Sequence, residues 1–489
     1  MTIYQHGVYS SEVPTSIRPP VEAMAGLPVF FGAAPVVLGD RANVNKPVLA
    51  TSYAEFVQKL GEGPRADYSL VRAAYGYFGL YGVGPAIFVN VLDPDDADHI
   101  IDVPRATLAW ASAEMSQTVA VFGIDPESVV LDDGAEVPTE YDIDDDYTLA
   151  FDDDGYLVIT RLSGGAMGAG ALPNADLTYS KIDPTGVTAA DVVGSTTAGG
   201  LNKGIFCLED VYPRLQLVPG LVLAPGYSQD STVKAALVSG GGSINGIFKA
   251  MPVVDLSPDD YEIADYSEAA AWKSDNGYTN LGLVCCWPMV KLGDDVYEMS
   301  IHFAGLANQV DAQQGGGVPY ISPSNKTLQI DGACFDDGTE INLTILQANV
   351  LNGAGIVTAL NFGGWRLWGN NTAAYPGTTD PKDRWICVKR MQLWLGNTQV
   401  LTYFGQVDSA MNRRLIESVV DSANIFLNGL KGAGAILGGE TLFTEADNPS
   451  TDLLNGIVKF RTYWTPPVPA ESINFLNEYD VSALATLFG

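Results

Sequence analysis

The sequence predicts a multidomain α/β (α+β) protein. Its parts are a two-layer or sandwiched mixed-sheet core, an inserted mainly-β domain and an extended arm at each end. Three observations carry this prediction. Apolar, nearly continuous strand candidates alternate with capped helical segments on both sides of an interruption. The interruption, residues 95–191, holds 21 acidic and three basic residues, a net of −18 out of −32 for the whole chain. Finally, both ends join a proline-rich extended stretch to a short strand pattern. The 489 residues, 47% of them hydrophobic, suffice for about three domains.

Residues 1–25 read as an N-terminal arm. Gly7-Val8-Tyr9-Ser10-Ser11-Glu12-Val13 is a short strand pattern, and Pro14, Pro19 and Pro20 then keep the chain extended. Residues 26–94 begin the body, with strands expected at 27–34 and 86–91 and a second helix at 69–78. Between them, Ser52-Tyr53-Ala54-Glu55 is a capping box opening a helix that Gly61 closes. Residues 95–195 form the acidic inserted domain, with strands at 147–149, 156–159 and 176–179. Its carboxylates repel one another anywhere but in water, so an outer surface is expected.

Residues 196–469 resume the α/β pattern. Strands are expected at 220–226, 247–256, 281–286 and 385–388, and a helix at 231–238. The clearest helix is 411–430, with Met411, Leu415, Val419, Ala423, Phe426, Leu427 and Leu430 on one stripe. Residues 470–489 form the C-terminal arm. Pro466, Pro467 and Pro469 stiffen its root, and Ile473, Phe475, Asn477 and Tyr479 then alternate with Ser472, Asn474, Leu476 and Glu478.

Composition and motifs argue against several functions. A chain of net charge −32 without a basic run offers no surface for nucleic acid. No apolar stretch is long enough to span a bilayer, and residues 2–9 do not open a signal peptide, so a soluble cytoplasmic product is expected. The five cysteines, an odd number, read as buried free thiols. The three histidines, His6, His99 and His302, are widely separated, and no metal is expected. Pro225-Gly226-Tyr227-Ser228-Gln229-Asp230 lacks the second glycine of a nucleophile elbow and reads as a turn into a capped helix. Gly240-Gly241-Gly242 and Gly315-Gly316-Gly317 lack the Lys-Ser/Thr of a phosphate loop and read as flexible turns.

Asp142, Asp144 and Asp146 have calcium-loop spacing, but Tyr147 stands where that loop needs glycine, so a solvated turn is expected. Trp365, Trp368 and Trp394 read as core. No catalytic residue and no cofactor is expected: the chain is not an enzyme.

An isolated strand-forming arm cannot satisfy its own backbone, and prolines hold each arm away from its own domain. Donation to a neighbouring copy resolves both problems, and such a heterologous contact propagates as rings and helices. Backbone pairing barely offsets the ordering entropy. The contact side chains Val8, Tyr9 and Val13 in one arm, and Ile473, Phe475 and Tyr479 in the other, must therefore tip the balance.

Several blocks, in order along nearly the whole chain, resemble the contractile tail sheath proteins of myoviruses, in the P2-like branch that includes R-type tailocins. They are His6-Gly7-Val8-Tyr9-Ser10-Ser11-Glu12-Val13-Pro14, Asn45-Lys46-Pro47-Val48-Leu49, and Asp183-Pro184-Thr185-Gly186-Val187. They continue with Leu223-Ala224-Pro225-Gly226, Leu351-Asn352-Gly353-Ala354-Gly355-Ile356 with Trp365-Arg366-Leu367-Trp368-Gly369, and Pro469-Ala470-Glu471-Ser472-Ile473-Asn474-Phe475.

The resemblance implies a structural subunit of stacked hexameric rings around a tail tube, with arms that join strands of neighbouring subunits. It implies contraction that drives the tube through the host envelope, with tube, baseplate and tail terminator proteins as partners. The location it implies is a virion tail, assembled in the host cytoplasm; the alternative setting is a non-viral injection system or tailocin. By position in the family, the helix 411–430 faces the tube and offers Arg413, Arg414 and Lys431.

Overall fold

An eight-stranded mixed sheet organises the body. A computed structural model describes residues 20–172, 174–259, 261–313 and 315–487. Val8, Tyr9 and Val13 of the N-terminal arm lie outside them. Across the sheet the strands run Trp365–Trp368, Ile356–Asn361, Val284–Cys286, Met251–Asp255, Leu221–Leu223, Pro28–Gly32, Ala86–Asn90 and Val48–Ala50. The six inner strands are parallel and the two edge strands antiparallel. Pro28–Gly32, Ala86–Asn90 and Met251–Asp255 are buried at every position, which explains why their apolar runs do not alternate. Four short antiparallel strands between Met289 and Ile341 form a second sheet beside them.

Capping proceeds as the sequence indicates. The Ser52 hydroxyl accepts from the Glu55 N–H (3.3 Å) at the head of Tyr53–Leu60. Asp230 caps Ser231–Gly242 through the Thr232 N–H (2.7 Å). Gly240, Gly241 and Gly242, expected in a flexible turn, instead complete that helix. A Cβ on Gly241 would lie 3.0 Å from a Val222 methyl and 3.1 Å from the Ala250 carbonyl oxygen. A side chain there would push helix and sheet apart by a few tenths of an ångström, so the glycine lets the helix seat closely.

The expected strand at 385–388 is also corrected. Trp385 is an extended N-cap, and Ile386–Tyr403 is a helix. Its β-branched start imitates a strand, but burial recurs at Cys387, Met391, Trp394, Leu395 and Thr398, a spacing of three to four residues. Tertiary packing on both faces overrides the local propensity.

The acidic insert has its own core. One three-stranded antiparallel sheet joins Ile100–Thr107, Asp176–Ile182 and Val130–Asp132; a second joins Ser116–Phe122, Tyr156–Arg161 and Tyr147–Phe151. Between them lie Trp110, Ile124, Leu131, Tyr147, Leu157 and Ile159. Arg161 is buried over the Trp110 ring (4.8 Å) and donates to the carbonyls of Glu114 (2.9 Å) and Gly170 (2.8 Å).

Candidate assembly surfaces

The helix Arg413–Gly432 packs on Ile386–Tyr403 and on a detached two-stranded sheet, Gly438–Leu442 paired with Arg461–Thr465. Asn412 caps the helix by accepting from the Leu415 N–H (3.0 Å). Val419, Ala423, Leu427 and Leu430 form its buried stripe, as the sequence predicts, while Met411 lies before it and is exposed. Asn424 fastens helix to hairpin by both amide groups: its Nδ2 donates to the Thr441 carbonyl (3.0 Å), and its Oδ1 accepts from the Thr441 N–H (2.7 Å).

Gly438–Leu442 and Arg461–Thr465 pair only with each other among the described residues; Asn424 occupies the outer edge of the first strand at Thr441, so the open edge is that of Arg461–Thr465. Along Arg461–Thr465, Thr462 and Trp464 turn toward the helices while Arg461, Tyr463 and Thr465 face solvent. That alternation was visible in the sequence but was missed there, because its partner strand begins with two glycines.

The C-terminal arm leaves directly from this strand. Residues 466–480 have no sheet partner among the described residues, and Ile473, Phe475 and Tyr479 are 71%, 85% and 79% exposed. At the arm's root, Glu471 pairs with the Arg384 guanidinium (2.8 Å), which lies over the Trp385 ring (4.0 Å). The opposite end is tied down at residues 20–25: the Val21 and Ala23 N–H groups donate to Thr402 and Thr398 hydroxyls, and Trp394 Nε1 donates to the Ala23 carbonyl (2.9 Å). Both arms therefore depart from the domain built on the helix Ile386–Tyr403.

Arg413 and Lys431 stand 18 residues, five full turns, apart on the helix and so share its solvent face. Arg413 is paired with Glu417 (2.7 Å). Arg414 and Lys431 are exposed and make no ion pair among the described residues. Asp421 lies on the same side, giving the face mixed charge.

The groups considered for chemistry are absorbed by structure. The Ser228 hydroxyl is buried and accepts from the Asp255 N–H (2.9 Å). His302 is packed edge-on to Tyr81 and Tyr297, and burial pushes it down to about 3. His99 is buried, with Nδ1 accepting from the Asp93 N–H (3.1 Å). All five cysteines are free and buried. The Asp146 carboxylate is occupied by backbone N–H groups of Ala166 (2.5 Å) and Asp142 (2.9 Å). Trp394 is core, while Trp365 and Trp368 are half-buried. Among the described residues no cluster of three or more metal-binding side chains occurs, and no helix is long and apolar enough to cross a membrane.

A body with an interrupting β-domain, an open strand edge and a C-terminal arm lying off its own sheets is the architecture of a contractile-sheath subunit. The fold matches the sheath of an extracellular contractile injection system, PVC, in its contracted state (TM-score 0.58, 14% identity, 99% of both chains). It also matches the contracted helical sheath of the anti-feeding prophage (TM-score 0.57, 14% identity, 97% of this chain and 99% of that one). No family model matches the sequence. The tail sheath protein of Burkholderia phage BcepMu is 30% identical over 99% of each chain, and that of Escherichia phage P2 is 23% identical over 61% of this chain and 73% of the relative. The chain belongs to the contractile tail sheath protein family. It is a structural subunit of a contractile sheath-like assembly, not an enzyme.

Proposed function

We propose that copies of this chain polymerise as six-fold rings stacked helically around a tail tube, and that shortening of the sheath drives the tube through a host envelope. One observation carries the reading: the exposed alternation of Ile473, Phe475 and Tyr479, without a sheet partner among the described residues, coexists in one chain with a hairpin whose strand Arg461–Thr465 has an open edge. Adding the arm of one copy, at either end, to the hairpin of another satisfies both, with Val8, Tyr9 and Val13 contributing from the N-terminal side. Five arm residues gain little from backbone pairing alone. Their apolar side chains, at about 1.5–3 kcal/mol each when fully buried, supply the margin.

The extended lattice is then a kinetically trapped state, and contraction lets bodies rotate into closer packing while the arms hold as tethers. The prolines at 466, 467 and 469 and the Arg384–Glu471 pair set the hinge. Arg413, Arg414 and Lys431 face acidic residues of the tube, and the insert 95–195 faces outward. Tube, baseplate and tail terminator proteins are the partners, and assembly takes place in the host cytoplasm.

Two settings are supported by different likenesses. Identity along the full chain to the BcepMu sheath supports a virion tail, whereas the fold likeness to PVC and the anti-feeding prophage supports an injection device without a capsid. Capsid genes beside the tube and baseplate genes would decide for the virion. The assembly mechanism is tested by deleting residues 472–489 and imaging the purified protein in negative stain. Sheath-like tubes are expected from the full chain and none from the deletion. Tubes formed equally by both would overturn the arm-exchange reading.

A further inference from the structure

Beyond the strand-forming part of the C-terminal arm, Val481–Leu487 is a 3-10 helix. With three residues per turn, positions i, i+3 and i+6 eclipse, so Val481, Leu484 and Leu487 form one apolar stripe. All three are exposed, and Asp480 caps the turn by accepting from the Ser482 N–H (2.9 Å). A stripe of this kind, exposed and without a partner among the described residues, calls for a surface elsewhere.

Such a surface exists one step from the hairpin. A groove of about 670 Å³ lies between the end of Ile386–Tyr403 and the start of Arg413–Gly432, and is walled by Gly456, Val458 and Phe460 ahead of the strand Arg461–Thr465. Leu415 and Val419 line its interior, and Val407 and Met411 stand exposed at its rim.

We propose that the stripe Val481/Leu484/Leu487 of one copy docks in this groove of a second copy. The inference rests on the arm-exchange reading above. An arm strand added antiparallel to Arg461–Thr465, with residues 473–477 opposite the strand, runs toward Arg461 and continues past it. Val481 then lies four residues, about 13 Å, beyond the strand end and alongside residues 456–460. A parallel arm would instead carry the stripe past Thr465 to Pro466 and Pro467, whose nitrogens have no N–H to extend the pairing. The strand supplies register, and the terminal stripe locks it.

Because every native cysteine is buried, single surface cysteines report contacts selectively. Proteins carrying Leu484→Cys and Val407→Cys are mixed, assembled, checked for tubes by negative stain and oxidised. A disulfide-linked heterodimer is expected at tenfold or more the yield obtained when Leu484→Cys is paired with Leu346→Cys, an exposed position on another helix. A parallel mixture of Phe475→Cys with Tyr463→Cys reports the arm strand itself. If that pair links while Leu484→Cys and Val407→Cys do not exceed the control, the docking is overturned and arm exchange stands. If neither pair links in formed tubes, both fall.

Discussion

Asp255 closes the central strand Met251–Asp255 with one carboxylate oxygen accepting from the Ser300 N–H (2.9 Å) and the other without a partner among the described residues. Burial pushes this carboxyl up to about 7, and the nearby Glu298 charge, itself held by Arg72 (2.6 Å), adds to the rise. The unfolded carboxyl titrates near 3.8, so between the two values the native state holds a proton that the unfolded state has lost. Stability from this group is complete below about 4 and is lost as pH rises through about 7, at about 1.4 kcal/mol per pH unit. Asp255→Asn keeps the shape and removes the titration. Thermal melts should therefore show the variant gaining on the parent from pH 5 to pH 8, and equal differences at both pH values would refute the assignment. No sequence pattern marks Asp255: its burial comes from strands and helices remote in the chain.

Among the elements, the junction between body and C-terminal domain depends on a buried ion pair. Arg390 of Ile386–Tyr403 meets Asp311 of Met299–Gln313 through two contacts, one of 3.1 Å, and also donates to the Ala25 carbonyl (3.3 Å) at the root of the N-terminal arm. Both side chains are buried, so removing one partner strands a charge. Asp311→Ala or Arg390→Met should cost about 3–5 kcal/mol in denaturant melts, whereas Asp311→Leu with Arg390→Met should cost much less. Additive losses in the double variant would contradict a paired role. Elements whose fate is set locally were legible: the capped helix from Ser52 and the stripe at Val419, Ala423 and Leu427. The helix at 386 and the end of the helix at Gly242 were not, because burial on several faces erased the period that distinguishes helix from strand. The hairpin that offers an edge to the arms is illegible for another reason: Arg461–Thr465 alternates, but its partner Gly438–Leu442 begins with two glycines and gives no strand signal to pair it with.

For the molecule as a whole, the chain enters and leaves the insert through one narrow neck. Ile100 pairs with Ile182, and the Asp183 N–H donates to the His99 carbonyl (2.8 Å). Beyond the neck the insert also docks on the body: Phe122 packs against Tyr68 (6.0 Å between rings), and Arg41, which holds Asp95 on its own side (2.5 Å), reaches Asp125 (2.7 Å) and Glu127 (3.2 Å). The insert's own core is separate from that of the sheet. Residues 101–181 carry 16 acidic and three basic groups, so replacing them with Asn-Gly between Ile100 and Ile182 moves the net charge from −32 to −19. The antiparallel register at the neck suits a two-residue turn. The excised body should still unfold in one cooperative transition, losing about 1–3 kcal/mol for each large side chain uncovered at the docking face, Tyr68 foremost. If the insert faces outward, the excised protein should also still form tubes, and at lower salt than the parent, because the acidic surfaces of adjacent copies repel less. Tubes abolished by the excision, with the body's transition intact, would instead place the insert within the lattice contacts.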